Sequence, residues 1–208
     1  MAILIADDHA IFRKGLQHLI EGSTDYKISA EASNAVELLS MLRKKTPDMI
    51  ILDINMPGIS GLEVLKDIHN LYPKLPVLVL SMYPENQYSV RAFKAGCSGY
   101  VSKGGREEDL LDAICKVSSG KKYISPDTAE SLLNEMIDID PPKKSRLSDR
   151  ELTVFKLIAS GITITKIADQ LNLSVKTVST YRSRILNKLN LKSTNELILF
   201  AVRNELID

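Results

Sequence analysis

The chain has 208 residues, 44% of them hydrophobic and 25% charged, with a formal net charge of +1. That length allows one large or two small domains with buried cores, and the balance excludes a disordered, fibrous or disulfide-stapled chain. No apolar run approaches the roughly 18 residues that a bilayer span requires. The first residues read as a strand closing on Asp7-Asp8, not as a basic segment with an apolar core, so neither a membrane span nor a signal peptide is expected. Cys97 and Cys115 form no CxxC, and both are expected to be small core hydrophobes in a reducing cytosol. Charge is spread unevenly: residues 1–122 hold 15 basic and 15 acidic side chains, 123–145 hold 2 and 5, and 146–208 hold 10 and 6. The basic end hints at a nucleic-acid partner for the C-terminal part.

In chain order, Ala2 to Ala6 is a short apolar strand stopped by Asp7-Asp8. Ile11, Leu16, Leu19 and Ile20 give a helical face, and Lys27 to Ala32 alternates weakly as a second strand. Asn34 can cap a helix carrying Val36, Leu38, Leu39 and Leu42. Met49-Ile50-Ile51-Leu52 is a strand buried on both faces, and Asp53 follows before Asn55, Pro57 and Gly58 stop it. Ser60 opens a helix with Leu62, Leu65, Ile68 and Leu71 on one side. Pro76 to Ser81 is a fourth strand, Val90 and Phe93 mark a short helix ending at Gly96, and Gly99 to Ser102 is a fifth strand ending at Lys103. Leu110, Leu111 and Ile114 face inward from a fifth helix. Five β-then-α units imply an α/β fold: a five-stranded parallel, doubly wound sheet with right-handed crossovers.

The strand ends carry the chemistry. Asp7-Asp8, Asp53, Ser81 and Lys103 each follow a strand, and in such a sheet those ends share one edge, where open α/β folds place their ligands. A single carboxylate there is an ion ligand, a nucleophile or a helix cap. Three carboxylates held together repel unless a cation shares them, and an all-oxygen set suits Mg²⁺. A divalent cation, a free carboxylate and a lysine make a site for a phosphoryl group, with Asp53 as nucleophile and Ser81 able to bond an oxygen. Taken one at a time, each residue is more simply a cap or a surface charge. It is the joint placement that argues for function.

The order and spacing of Asp7-Asp8, Asp53, Ser81, Tyr100 and Lys103 resemble the receiver domain of two-component response regulators, over residues 1–120. The resemblance implies a flavodoxin-like receiver in which Asp53 accepts a phosphoryl group from a histidine kinase. It implies Mg²⁺ held by Asp8, Asp53 and the backbone carbonyl of Asn55, with Asp7 acting through water, and Ser81 and Tyr100 as a switch pair. Two features depart from or vary within that pattern. Lys103 is followed by Gly104-Gly105 where many receivers have proline, and Asn55 and Tyr83 occupy the positions that influence how long the phosphate survives. His9, His18 and His69 show no ligand spacing and read as surface or capping residues.

Residues 121–145 read as a linker: Ser125-Pro126 opens a short helix with Leu132, Leu133 and Met136, and Pro141-Pro142-Lys143-Lys144 is polar and stiff. Beyond it lies a smaller all-α domain, 146–208. Ser148 and Glu151 fit a capping box ahead of Leu152, Phe155, Leu157 and Ile158. Thr163 caps a second helix. Asn172-Leu173-Ser174 turns into a third, with Val175, Val178, Ile185, Leu186 and Leu189 as its expected buried stripe. Ser193 and Glu196 open the last. The second and third have helix-turn-helix spacing. The third helix presents Lys176, Thr177, Ser179, Thr180, Arg182, Ser183, Arg184 and Lys188 and no acid, which suits a helix lying in the major groove of double-stranded DNA.

Leu147 to Glu151, Ile167 to Leu171 and Ser174 to Val178 resemble the helix-turn-helix domains of the LuxR type. Receiver plus this domain is the arrangement of the NarL/FixJ class of response regulators, and Lys176 to Arg184 is similar to the BvgA-like members. The resemblance implies a cytoplasmic DNA-binding transcription regulator that is not an enzyme, forms a homodimer on activation and binds an operator with repeated half-sites. Two other readings remain: an aspartyl-phosphate phosphatase of the haloacid dehalogenase type, in which Asn55 stands where a general acid is needed, and a phosphorylated adaptor whose basic domain meets an acidic protein. Steeply salt-dependent duplex binding separates the last from a DNA binder.

Overall fold

The computed structural model describes residues 1–56, 59–82, 85–137 and 147–203. Pro57, Gly58, Tyr83 and the Pro141-Pro142 stretch therefore lie outside the described residues. The chain divides into two compact units, Met1–Ile137 and Asp138–Asp208.

In the first unit, strands β1 (Ala2–Ala6), β2 (Lys27–Ala32), β3 (Met49–Asp53), β4 (Val77–Ser81) and β5 (Gly99–Ser102) alternate with helices α1 (Ala10–Ser23), α2 (Ala35–Lys44), α3 (Gly61–Leu71), α4 (Glu85–Lys94) and α5 (Glu107–Ser118). All pairings are parallel, and the spatial order is β2-β1-β3-β4-β5. Because side chains alternate across a strand, Ile3, Ile5, Met49, Ile51, Leu78, Leu80 and Val101 form one core with Leu16 and Ile20 of α1 and Ala113, Ile114 and Val117 of α5. Leu4, Ile50, Leu52 and Val79, on the alternate positions, are equally buried. That two-sided burial is why β3 and β4 read as unbroken apolar runs. Each such side chain contributes roughly 1.5–3 kcal/mol.

The helix phases differ from the sequence reading at their ends. Ile11 is 90% exposed, because the inward stripe of α1 runs through Phe12, Leu16 and Ile20, four residues apart. Val36 and Leu71 likewise face outward, while Ala35 and Val64, absent from the sequence stripe, are buried. In α4 it is Tyr88 and Ala92 that are buried, more deeply than Val90 and Phe93. Cys97 is buried, and burial pushes its thiol up to about 12; Cys115 instead lies exposed on the outer face of α5, so only one cysteine is a core hydrophobe. Asn34 caps α2 by accepting from the Glu37 amide at 2.9 Å. Ser60 precedes α3 without a side-chain cap. At the first residue of α3 only glycine fits: a Cβ on Gly61 would stand 2.2 Å from the Ile54 Cα.

Past α5 the chain stays on the first unit. The Tyr123 amide donates to the Ser98 carbonyl at 2.9 Å, Gly99 and Tyr123 form a parallel bridge, and α6 (Pro126–Ile137) packs on α4. Ser125 caps α6 through the Thr128 amide at 3.2 Å.

The second unit holds α7 (Asp149–Ala159), α8 (Ile164–Gln170), α9 (Val175–Leu189) and α10 (Thr194–Arg203). Its caps are those written in the sequence: Ser148 with Glu151 in a capping box, Thr163 on the Lys166 amide, and Ser174 on the Thr177 amide at 3.0 Å. At α10 the Ser193 hydroxyl accepts from Glu196, but the Glu196 carboxylate reaches back to the Lys192 amide at 2.7 Å, one residue before the box position. Asn172 and Asn190 take left-handed backbone, with φ of 52° and 55°, at the turn before α9 and at its end. Asparagine is among the few non-glycine residues that accept this readily. Val154, Phe155, Ile158, Ile167, Val178, Ile185, Leu197 and Ala201 close the core.

Candidate functional site

Four loops at the carboxyl ends of β1, β3, β4 and β5 bring the titratable and hydroxyl groups together. The sheet register explains it: Ala6 lies beside Leu52, Asp53 beside Leu80 and Ser81 beside Ser102, so the residues that follow share one edge. The Lys103 ammonium sits 2.6 Å from Asp7 Oδ2 and 2.6 Å from Asp53 Oδ2, with only 4% of its side chain exposed. It also lies 4.6 Å above the centre of the Phe12 ring. Asp53 Oδ1 accepts from the Asn55 amide at 2.8 Å, and the Ser81 hydroxyl donates to Asn55 Oδ1 at 2.8 Å. Asp7, Asp53 and Ser81 are buried; Tyr100, on β5, is buried with its ring inside the fold.

Burial pushes the Asp53 carboxyl upward, and Lys103 offsets part of that push. Burial also works against the charged form of Lys103, but Asp53 and Asp7 outweigh it and the net shift is upward. The lysine is thus held cationic between two carboxylates. Asp7, Asp8, His9 and Asp53 offer ligand atoms all within 4.8 Å of one another. Oxygen-rich donors clustered this tightly fit a hard divalent cation. His9, read from the sequence as a surface or capping residue, is exposed at the surface and precedes α1 without capping it through its side chain. Its Nδ1 instead lies 2.9 Å from Asp8 Oδ1 and 3.4 Å from Asp7 Oδ1. Arg13, which the sequence reading passed over, donates to the Asp7 carbonyl at 2.6 Å and pairs with Glu31 at 2.9 Å, pinning the β1–α1 loop to β2.

In the second unit, α9 presents Lys176, Ser179, Thr180, Ser183 and Arg184 to solvent, as the sequence predicts. The Thr180 hydroxyl bonds the Lys176 carbonyl at 2.9 Å and the Ser183 hydroxyl the Ser179 carbonyl at 3.1 Å, so both lie flat against the helix and leave room for close approach. Three expected members of that surface are not exposed. Thr177 is half-buried with its hydroxyl 2.8 Å from Ser174 Oγ. Arg182 is half-buried, its Nε enclosed with no hydrogen-bond partner among the described residues. Lys188 is turned onto the buried carboxylate of Glu151, with a 2.5 Å contact that ties α9 to α7. The inward stripe is wider than the sequence reading drew it: α9 packs on α7 and α8 with Val178, Tyr181 and Ile185 inward, and Lys188 falls at the edge of that stripe. Val175, expected in the buried stripe, is 48% exposed at the tip of the helix.

The family comparisons agree with both units. Residues 3–115 match the response regulator receiver domain, and residues 145–201 match the luxR family of bacterial regulatory proteins. The response regulator UvrY of Escherichia coli (strain K12) is 34% identical over 206 residues, covering 98% of this chain and 94% of its own. GacA of Pseudomonas aeruginosa is 35% identical over 209 residues, covering 99% and 97%, and the oxygen regulatory protein NreC of Staphylococcus carnosus is 35% identical over 216 residues, covering 100% of both. Among solved structures, RcsB of Salmonella enterica serovar Typhimurium bound to promoter rprA in the presence of phosphomimetic BeF3⁻ superposes with a TM-score of 0.66 at 28% identity, covering 96% of this chain and 98% of that one. An RcsB–DNA complex gives a TM-score of 0.60 at 29% identity, covering 97% and 98%. With both halves matched in order over nearly its whole length, the chain belongs to the two-component response regulators of the NarL/FixJ class, a receiver domain followed by a LuxR-type DNA-binding domain that regulates transcription.

Proposed function

We propose that Asp53 is the phosphoacceptor and that its phosphorylation by a sensor histidine kinase sets the DNA affinity of the second unit. One observation carries the reading: a buried carboxylate, a second buried carboxylate and a buried ammonium lie within 2.6 Å contacts at the ligand edge of the sheet. In the transfer, an Asp53 carboxylate oxygen attacks phosphorus, and the bond from phosphorus to the donor nitrogen breaks as the new P–O bond forms. Asp8, Asp53 and the Asn55 carbonyl, with Asp7 through water, would hold Mg²⁺, which when bound supplies positive charge to the phosphoryl oxygens. Lys103 leaves Asp7 to pair with the incoming group. Ser81 releases Asn55 and donates to a phosphoryl oxygen, and Tyr100 moves with it; this is a small packing change biased by a local charge.

The phosphorylated form favours a homodimer or a freed α9, and two linked reading heads gain affinity for an operator with repeated half-sites. Lys176, Ser179, Thr180, Ser183 and Arg184 form the groove-facing set. Thr177, Arg182 and Lys188 act behind it, by packing and by holding α9 on α7. The receiver ends near residue 120, residues 121–145 connect, and 146–208 bind DNA; α6 gives the connection a fixed first half on α4. Among the described residues no helix is long and apolar enough to cross a membrane, and a duplex-DNA partner supports a cytoplasmic location. Asn55 and Tyr83 set how fast the acyl phosphate is lost by autodephosphorylation.

The test is phosphorylation of the full chain with a small phosphodonor and Mg²⁺, followed by sedimentation and titration with operator-length duplex. Asp53→Asn is expected to take up no phosphate and to lose the phosphate-driven rise in affinity. Modification persisting at another aspartate in peptide maps would refute the assignment.

A further inference from the structure

The opposite edge of the receiver sheet, at the amino ends of β4 and β5, carries a cleft of about 350 Å³ that the phosphotransfer reading does not use. Its walls include His69, Lys74, Phe93, Lys94, Lys121 and Lys122, and among the described residues no acidic side chain lines it. Residues 1–122 are neutral as a whole, with 15 cations and 15 anions, so four lysines around one cleft mark a local excess of positive charge. Lys74, Lys121 and Lys122 are exposed and make no ion pair among the described residues. Helices α3, α4 and α5 end at this edge, and their carboxyl-terminal dipoles favour cations, but that effect fades beyond the last turn. It accounts for Lys94, inside α4, and not for Lys74, Lys121 and Lys122, which lie past the ends of α3 and α5. Two rings join them. The His69 ring closes over Gly96, whose φ of 105° and missing side chain let the ring approach: a Cβ there would meet His69 Cγ at 2.4 Å. Phe93, half-buried, also lines the cleft.

We infer that this cleft binds a nucleoside di- or triphosphate. The unpaired lysines take the phosphates as point charges and the rings take the base by stacking. The volume is at the lower end of small-ligand sites, which suits one nucleotide and not a folded partner. The inference is independent of phosphotransfer at Asp53, because the two sites lie on opposite edges of the sheet.

The full chain in metal-free buffer is titrated with ADP carrying a ribose-linked fluorophore, with ADP, pyrophosphate and adenosine as competitors. Saturable sub-millimolar binding is expected, weakened about tenfold or more by Lys121→Glu with Lys122→Glu and by added salt. Phe93→Leu, which keeps the apolar wall, is expected to weaken ADP severalfold and leave pyrophosphate unchanged. Lys121→Gln with Lys122→Gln, a milder pair, replaces the charge reversal if that variant melts early. No saturable binding, or binding indifferent to both lysine pairs, overturns the proposal. So does pyrophosphate competing as well as ADP, which would make the cleft a bare polyanion patch, or displacement of the nucleotide by duplex DNA through the same lysines.

Discussion

Lys103 is the residue on which the receiver pocket balances. Its ammonium is shared between Asp7 and Asp53 at 2.6 Å each, so it competes for the same oxygens that a divalent cation would need. Lys103→Ala is therefore expected to leave Mg²⁺ affinity equal or raised while the phosphate-driven increase in DNA binding is lost; a Kd for Mg²⁺ from tyrosine fluorescence, alongside operator titration, checks it. Ser81 is spent on the Asn55 side chain at 2.8 Å. Ser81→Ala is expected to take up phosphate and yet show a reduced phosphate-driven gain in DNA affinity, read by comparing phosphorylated and unphosphorylated titrations of each variant. Asp7, Asp8, Asp53, Ser81 and Lys103 were legible before any coordinates, because chain order and a parallel sheet put strand ends on one edge. The Asn55 amide, the His9 imidazole and the Arg13 guanidinium were not. The Asn55 amide depends on the backbone path of its loop, and His9 and Arg13 on the direction of their side chains, which neither periodicity nor spacing encodes.

At the scale of elements, α9 shows where helix patterns mislead. Fifteen residues at 3.6 per turn define a stripe only to within a residue or two at its ends. Val175 thus fell on the wrong side and Lys188 looked free. The caps Ser148, Thr163 and Ser174 were read correctly, because a short side chain bonding an amide three residues on is a local rule that tertiary packing does not override. The Lys188–Glu151 contact joins the reading helix to the first helix of its domain. Burial raises the Glu151 carboxyl, but Lys188 and the Ser148 cap outweigh it, so its folded pKa lies below the ordinary 4.5. A lowered folded pKa means that this stability is fully present above pH 4.5 and is lost as pH falls through the folded value. Lys188→Met is expected to destabilise the C-terminal unit by about 1–3 kcal/mol at neutral pH, the upper values for buried pairs being discounted for the lysine's partial exposure. It is also expected to flatten the acid limb. Urea melts of the wild type and variant at several pH values test both.

For the whole molecule, the sequence shows a neutral front, an acidic middle and a basic end, and the structure divides at Ile137. The helical half of the connecting stretch, α6, packs on α4 because the chain bonds back to Ser98 at Tyr123 before the helix starts. Propensity gave that helix its caps but could not say which surface it would settle on. On a two-unit chain, DNA binding rests on the second unit's charge. Arg184→Ala is expected to lower affinity for all duplexes by a similar factor and reduce the salt slope by about one if it meets a phosphate. A selective loss for one operator position would instead assign it to a base.

Gly61 has no room for even a methyl group, because the start of α3 lies directly on the Ile54 backbone, one residue after Asp53. The Asp53 loop and α3 thus behave as one mechanical piece: whatever shifts the one must carry the other along. Gly61→Ala, ordinarily among the mildest of exchanges, is expected to wedge that joint open, lowering the melting temperature and the rate of phosphoryl uptake together. Two defects arising from one added carbon and two hydrogens would show how little slack separates scaffold from signal in this receiver.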